Sequence, residues 1–162
     1  MFDPRESGEP RPIPAPPERP IYTPPGGPPQ TGSIDRGLYE RMGEEPIRRL
    51  IRDFYARLTS DERIANLFPK GEDEIATAAE RSADFFVFLL GGPPLYQQRW
   101  GRPMMRARHL PYRIDDAARA AWMDCFRASS SDAVARGDWA EADAEGVCAF
   151  LEGFGAWMVN AE

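Results

Sequence analysis

The stretch Gly91–Tyr112, GGPPLYQQRWGRPMMRARHLPY, holds His109, the only histidine in the chain. Two prolines at positions 93–94 end any helix that precedes them, because proline lacks an amide N–H and clashes with the preceding turn. Pro111 likewise limits how far a helix can continue after the histidine, because the residue before a proline disfavours the helical conformation. The stretch therefore predicts that His109 lies on a short element between two breaks.

We expect this element to be a short helix that begins at Arg102 or Pro103 and ends at His109, between two longer helices. Such a helix would hold one imidazole at a fixed angle, which is what an axial metal ligand requires. The spacing alone leaves a second interpretation open, in which His109 is an ordinary surface or capping histidine.

The composition is typical of a globular protein that binds no nucleic acid. Of the 162 residues, 42% are hydrophobic and 28% are charged, which fits at most one compact domain and an appendage. The net charge of −6 leaves no dominant basic surface, so nucleic acid is not an expected partner. No apolar run reaches the ~18 residues of a membrane helix, and the N-terminus lacks the apolar segment of a secretory signal, so no membrane partner is expected.

Cysteine spacing and common motifs exclude several classes of site. Cys125 and Cys148 lie far apart without CxxC spacing, which does not support a zinc site and favours a reduced, cytoplasmic setting. Their apolar helix faces favour core packing over redox sensing. The chain has no GxSxG or HExxH motif, and its Gly-Gly-Pro-Pro sequence is not a phosphate-binding loop. No catalytic residue is therefore assigned.

Residues 1–36 differ in composition from the rest of the chain. They contain eleven of the seventeen prolines and few large apolar residues. Such a segment cannot bury enough apolar surface to offset the entropy of ordering, so we expect a Pro-rich arm that is extended or disordered. A solvated spacer is its expected role, and a ligand for a proline-reading module is the alternative.

Residues 37–162 show helical periodicity without strand-like alternation, so the expected fold is all-α around one core. An apolar stripe at i, i+3, i+4 and i+7 begins at Ile47 and passes through Tyr55 to Leu58. A break is expected at Ser129–Ser131. The expected helices are Leu38–Met42, Pro46–Leu58, a short helix capped at Thr59–Asp61 that runs to about Leu67, Asp73–Leu90, a helix from Asp115 or Asp116 to about Ala128, and Glu141–Asn160.

One histidine and an aromatic helical core fit an iron porphyrin. A single imidazole supplies the axial ligand, apolar side chains enclose the ring, and arginines at its edge pair with the propionates. The pocket on the opposite side of the ring needs few donors, such as one hydroxyl and one indole N–H.

Three motifs resemble those of the truncated hemoglobins. They are Leu90–Tyr96 (LGGPPLY), Arg106–Tyr112 (RARHLPY) and Ala121–Cys125 (AWMDC). From about residue 37 to residue 160 the chain is similar to the bacterial group II, in which a tryptophan lies in the distal pocket. This resemblance implies a two-over-two helical sandwich around heme b, formed by residues 37–162, with the arm outside the family domain.

The resemblance also implies a set of heme contacts. His109 is the implied proximal iron ligand, and Tyr55 and Trp122 are the implied distal hydrogen-bond donors. Ala78 would leave the route to the iron open or gated by side-chain motion, whereas Ser82 departs from the leucine or glutamine that is more common there. The remaining implied contacts are Phe68, Arg81, Phe85, Arg106 and Arg108. Of these, Arg106 and Arg108 are unranked candidates for pairing with the propionates, and either could equally be a solvated arginine.

The resemblance implies two alternative functions. In the first, the chain reversibly binds dioxygen, carbon monoxide or nitric oxide as a carrier, store or sensor. In the second, it is a heme enzyme that removes nitric oxide, peroxide or another nitrogen oxide. Because the sequence carries no fused reductase, the second would need an external reductase, which favours binding. A third interpretation is a globin-shaped interaction module without heme, and the retention of His109 argues against it.

The sequence does not determine the oligomeric state, and a homodimer is one expectation.

Overall fold

The computed structural model describes residues 10–29 and 34–162, which form helices and connecting turns without a β-strand among them. Within these ranges no helix is long and apolar enough to cross a membrane. A 3-10 turn, Ala65–Leu67, lies between the second and third helices. In chain order the helices are α1 (Leu38–Met42), α2 (Glu44–Leu58), α3 (Glu72–Leu89), α4 (Leu95–Trp100), α5 (Met105–His109), α6 (Asp116–Ala135) and α7 (Glu141–Met158).

The four long helices pack as two pairs. Helix α2 packs against both α3 and α6, and α6 packs against α7. The apolar stripe of α2 lies in the centre, where Leu50, Phe54 and Leu58 have 1% or less of their surface exposed. Phe126 of α6 meets Phe54 edge to face with ring centroids 5.2 Å apart, which joins the two pairs through an aromatic contact. The expected two-over-two sandwich follows from these contacts.

Helix α6 is longer than the sequence predicted. The expected break at Ser129–Ser131 was wrong, because the helix continues to Ala135. Ser129 is buried, and the Ser130 hydroxyl donates to the Arg127 carbonyl 3.0 Å away within the same helix. Serine side chains that bond to the preceding turn can remain in a helix, so burial overrides their low helix propensity. The start was predicted correctly, since the Asp115 carboxylate caps the helix by accepting from the Ala118 amide at 2.9 Å.

The segment between α2 and α3 forms less helix than expected. Instead of a short helix to Leu67, only the 3-10 turn Ala65–Leu67 is present. The Asp61 carboxylate accepts from the Arg63 amide at 3.0 Å and from the Arg63 guanidinium at 2.7 Å. These local side-chain bonds compete with helical backbone bonds and favour a turn.

The stretch that contains His109 folds into two short helices instead of one. Helix α3 ends at Leu89, and Gly91 turns the chain with φ +100°. A Cβ at Gly91 would overlap the carbonyl oxygen of Arg36, so only glycine fits there. The sequence did not predict α4. Helix α5 begins after Met104, two to three residues later than predicted, and ends at His109 as expected.

A buried carboxylate fixes α4 against the two long helices next to it. Asp84 of α3 has no exposed surface and accepts from the Arg48 guanidinium of α2 at 2.7 Å. It also accepts from the Arg99 guanidinium at 2.9 Å and from the Trp100 indole at 2.8 Å, and these are the last two residues of α4. One side chain therefore joins α2, α3 and α4.

Replacing Asp84 with alanine is expected to lower the free energy of unfolding by about 3–5 kcal/mol, because the buried Arg48 guanidinium and Trp100 indole would lose the acceptor that they share, although Arg48 keeps its bonds to two glutamates. Urea denaturation followed by circular dichroism measures the loss. Glu45→Ala is the matched control, since Glu45 pairs with Arg52 at 2.9 Å on the exposed surface and should lose no more than about 1 kcal/mol. Equal losses in the two variants would contradict a structural role for the buried carboxylate.

The described part of the arm, residues 10–29, is extended and lies against the helical domain. The extended state is one of the two that its proline content predicts. The Arg11 amide donates to the Trp100 carbonyl at 2.8 Å, and the Tyr22 amide donates to the Asn160 carbonyl at 3.0 Å. The sequence pattern did not predict these contacts. The parts of the arm expected at residues 1–9 and 30–33 lie outside the described residues.

Candidate functional site

A cavity opens between α2, α3, α5, α6 and α7. Its lining is mainly aromatic and aliphatic, with tyrosines, arginines and one histidine between the apolar groups. Of the residues that the sequence selected, Arg106 does not line this cavity. Those that do are Tyr55, Phe68, Ala78, Arg81, Ser82, Phe85, Arg108, His109 and Trp122. The fold therefore gathers residues from positions far apart in the chain around one space.

The His109 imidazole is oriented by its own helix. Its Nδ1 lies 2.5 Å from the Met105 carbonyl oxygen, one turn earlier in α5. Because a carbonyl can only accept, Nδ1 carries the proton and Nε2 keeps its lone pair. This tautomer leaves Nε2 free as the ring nitrogen that can bind a metal from the cavity wall.

The surroundings of His109 favour the neutral imidazole. Burial lowers the pKa of His109 below its ordinary value, since the charged ring would lose its hydration, and the bond to Met105 opposes this only in part. The positive charges of Arg81 and Arg11 lower the pKa further. A neutral imidazole is the form that coordinates metal ions, so burial and charge act in the same direction as the tautomer.

Tyr55 brings a hydroxyl to the cavity from the last turn of α2. The ring is held edge to face between Phe54, at 6.0 Å, and Phe68, at 5.7 Å. Burial raises the pKa of the Tyr55 hydroxyl above its ordinary value, and the Ser82 hydroxyl of α3 opposes this by hydrogen bonding. Tyr55 is therefore a neutral donor at neutral pH, with Ser82 as its neighbour inside the cavity.

Trp122 brings an indole N–H to the cavity from α6. Its ring packs on Phe54 at 5.4 Å and on Phe126 at 6.3 Å, which fixes the orientation of the side chain. The indoles of Trp100 and Trp139 donate to protein acceptors. The Trp122 indole makes no hydrogen bond within residues 10–29 and 34–162. Its N–H is therefore available to a molecule inside the cavity.

Small and flat side chains shape the walls. Ala78 is 6% exposed and presents only a methyl group, so the neighbouring part of the cavity is open to a wide ligand. Phe85 packs on Phe86 at 6.1 Å and Phe154 at 5.9 Å, and Phe68 meets the Tyr55 ring edge to face at 5.7 Å. These rings offer faces and edges on which a planar apolar group can pack.

The arginines selected from the sequence lie in different environments. Arg106 lies over the Trp157 ring at 4.4 Å and donates to the carbonyls of Trp157, Val159 and Tyr22, so it points away from the cavity. Arg108 lines the cavity, but its guanidinium donates to backbone carbonyls. Arg81 lies over the Trp100 ring at 5.6 Å and has no acidic partner among residues 10–29 and 34–162.

The structure adds lining residues that the sequence reasoning missed. Arg11 comes from the arm, and its guanidinium donates to the Tyr96 hydroxyl at 3.4 Å. Tyr96 lies in the motif LGGPPLY, so its position could have been suspected, whereas Arg11 gave no sequence signal. Helices α5 to α7 and their connections contribute further lining residues that the sequence did not indicate. They include Met105, Tyr112, Ile114, Phe154 and Met158.

The cysteines are separate from this cavity. Cys125 is buried in α6 and Cys148 is partly buried in α7, and neither lines the cavity or forms a disulfide. Burial, with the nearby Asp61 carboxylate, raises the pKa of the Cys125 thiol to about 11. A thiol in this state is poorly nucleophilic, which supports core packing for Cys125.

The residues present fit a heme. The chain offers one histidine nitrogen toward the cavity, and a porphyrin ring supplies the other four nitrogens that iron needs. Aromatic walls suit a flat ring, the unpaired Trp122 N–H suits a polar ligand beside it, and cationic side chains suit its carboxylates.

Comparison with known proteins gives a consistent result. Residues 37–160 match the family model of the bacterial-like globins. Group 2 truncated hemoglobin YjbI of Bacillus subtilis (strain 168) is 38% identical over 89 residues, which are 55% of this chain and 65% of that protein. The chain thus matches slightly less than two thirds of the length of this curated relative.

Solved structures resemble the fold over more of their length. The truncated oxygen-avid haemoglobin from Bacillus subtilis has a TM-score of 0.67 and 34% identity, covering 76% of this chain and 98% of that one. Phosphate-bound Hell's gate globin IV has a TM-score of 0.74 and 32% identity, covering 82% of this chain and 79% of that one. The chain belongs to the bacterial-like globin family, whose usual cofactor is heme b, and it is similar to the group II truncated hemoglobins.

Proposed function

We propose that this chain is a globin that reversibly binds dioxygen or another diatomic gas, with His109 as the proximal ligand of heme iron. The observation that carries the proposal is the presence of two complementary features in one cavity. Helix α5 contributes a neutral imidazole with a free Nε2, and helices α2 and α6 contribute the Tyr55 hydroxyl and the unpaired Trp122 indole N–H.

Bound in this cavity, heme would supply an iron atom with one coordination position left for a gas molecule. The chain supplies the rest. The Met105 carbonyl holds the His109 ring in one orientation, and apolar walls limit the access of water. Tyr55 and Trp122 would offer hydrogen bonds to a diatomic ligand that draws electron density from ferrous iron, as dioxygen would, while carbon monoxide would gain less from the same donors. This difference supports dioxygen as the preferred ligand, as the oxygen-avid Bacillus subtilis relative also suggests.

Arg81 is proposed to pair with a heme carboxylate, because its guanidinium lines the cavity and has no acidic partner among the described residues. Burial lowers the pKa of Arg81, and Arg11 lowers it further by like-charge repulsion. An anionic group near both arginines would relieve that repulsion. Phe68, Phe85 and Ala78 are proposed to contact the ring.

The proposal includes a cellular setting. We place the protein in the cytoplasm, where the free thiols Cys125 and Cys148 remain reduced. An external reductase would return oxidised heme to the ferrous state. The homodimer expected from the sequence stays a prediction.

Gas titration of the heme-loaded full-length chain tests the function. After reduction, the absorption spectrum is expected to change on adding dioxygen or carbon monoxide and to return when the gas is removed under vacuum or argon. Consumption of nitric oxide or peroxide over many turnovers, with a reductase present and without stable dioxygen binding, would favour the redox enzyme instead. A chain that takes up no heme would contradict both functions.

A further inference from the structure

The arm is held in place by two arginines next to the candidate proximal histidine. Arg106 Nη2 donates to the Tyr22 carbonyl at 2.8 Å. Arg108 donates to the Arg11 and Pro12 carbonyls, each at 3.2 Å. The sequence left both arginines as unranked candidates for the propionates or for solvated positions, and in the structure their donors reach the backbone of the arm. The helix that carries His109 is therefore attached to the arm at two points.

Further bonds fix the arm along its length. The Arg11 amide bonds to the Trp100 carbonyl at 2.8 Å, and the Tyr22 amide to the Asn160 carbonyl at 3.0 Å. Arg19 donates to the Leu110 carbonyl at 2.9 Å and to the Asn160 side-chain oxygen at 2.7 Å. These contacts connect residues 11, 19 and 22 of the arm to the segment on both sides of α5 and to the end of α7.

The proline content suits this arrangement. A proline has no amide donor to leave unpaired, while its carbonyl remains free to accept. In an extended polyproline-like chain the carbonyls are not used internally, so arginine side chains can reach them. The fixed φ of proline also reduces the entropy that is lost when the arm docks.

Four arginines line the cavity, and two of them already have partners. Arg119 pairs with Glu152 at 3.1 Å, and Arg108 is occupied by carbonyls. Arg11 and Arg81 remain. In residues 10–29 and 34–162 neither has a carboxylate partner, and Arg11 bonds only through one nitrogen to the Tyr96 hydroxyl at 3.4 Å. Two cationic groups thus face one cavity without a balancing anion.

We infer that the arm is a structural part of the cofactor site, and that Arg11 provides, beside Arg81, a cationic partner for one of the two heme carboxylates. The inference rests on the proposed heme function but concerns residues outside the matched globin domain, 37–160. Two guanidiniums without a carboxylate partner match two carboxylates, and bonds to Arg108 of α5 and Trp100 of α4 hold the Arg11 backbone beside the cavity.

The transfer of hemin from the full-length ferric protein to excess apomyoglobin tests Arg11 directly. Arg11→Ala is expected to accelerate hemin loss by about tenfold or more, as the loss of a charge-assisted bond predicts, and Arg11→Lys should recover part of the difference. Arg102→Ala is the matched control, because the Arg102 side chain is exposed and makes no hydrogen bond or ion pair among the described residues, and it should release hemin at the wild-type rate.

Hemin dimethyl ester separates carboxylate pairing from packing. The ester has no carboxylate charge, so Arg11→Ala and the wild type should release it at equal rates. If Arg11→Ala accelerates the loss of hemin and its ester equally, or accelerates neither, the carboxylate pairing is overturned. If the wild type binds neither compound, the proposed function itself fails, which is a different outcome.

Amide hydrogen exchange tests the docking of the arm without any cofactor. The amides of Arg11 and Tyr22 donate to the helical domain, so both should exchange slowly in the full-length chain. Exchange of these two amides at the rate of an unstructured peptide would overturn the structural role of the arm, even if hemin loss responded to Arg11→Ala.

Discussion

His109→Ala is expected to abolish axial coordination and to weaken hemin binding by more than about 100-fold. Replacing a residue that only hydrogen-bonds to a metal ligand weakens metal binding by about 10- to 100-fold, and loss of the ligand itself should cost more. The reason is that no other histidine exists to replace it. Absorption spectra of the full-length chain with stoichiometric hemin measure the change. The wild type should show a sharp Soret band that shifts on reduction and again with carbon monoxide. In the variant this band should be broadened, displaced or lost.

A cavity variant separates coordination from folding. His109→Gly should bind hemin weakly, and added imidazole should restore the wild-type spectrum by occupying the space of the missing ring. Rescue would show that the site survives and that only the nitrogen donor was removed. A His109→Ala spectrum identical to the wild type in both redox states would contradict the assignment of the proximal ligand.

Local sequence patterns were sufficient for much of the fold. The bounds of α1 were predicted as observed, and those of α2 and α3 within two residues, because apolar periodicity and the flanking glycines and prolines act within a few residues. Helix α4 was missed because it is short and its stability depends on Asp84, which lies in another helix. The length of α6 was underestimated because the burial of Ser129 is a tertiary effect.

The residues of the candidate site also fall into those that local motifs predict and those that depend on distant contacts. His109, Tyr55 and Trp122 were selected because their motifs are local, and the structure places all three on one cavity. Arg106 and Arg108 could not be ranked, since their partners lie in the arm, 84 and up to 97 residues away. Composition predicts that a proline-rich segment is extended, but it does not predict which surface the segment contacts. Contacts of that sequence separation require the fold itself.

The double variant Tyr55→Phe/Trp122→Phe is expected to release dioxygen about 100- to 10,000-fold faster than the wild type. Each hydrogen bond to a partly charged ligand contributes about 1.5–3 kcal/mol, which corresponds to a factor of about 10 to 100 for each donor. The two donors face one small ligand, so their effects are expected to be coupled instead of strictly additive. Stopped-flow displacement of dioxygen by carbon monoxide measures the off-rates.

The matched control is Tyr39→Phe/Trp157→Phe, which removes the same two chemical groups away from the cavity lining and should keep the wild-type off-rate.

The single variants then identify the dominant donor. Trp122 is held by Phe54 and Phe126 and has no competing acceptor, whereas the Tyr55 hydroxyl also interacts with Ser82. We therefore expect Trp122→Phe to have the larger single effect. If the double variant releases dioxygen no faster than the control, retention of the ligand does not depend on these donors, and enclosure by the apolar walls would have to account for it.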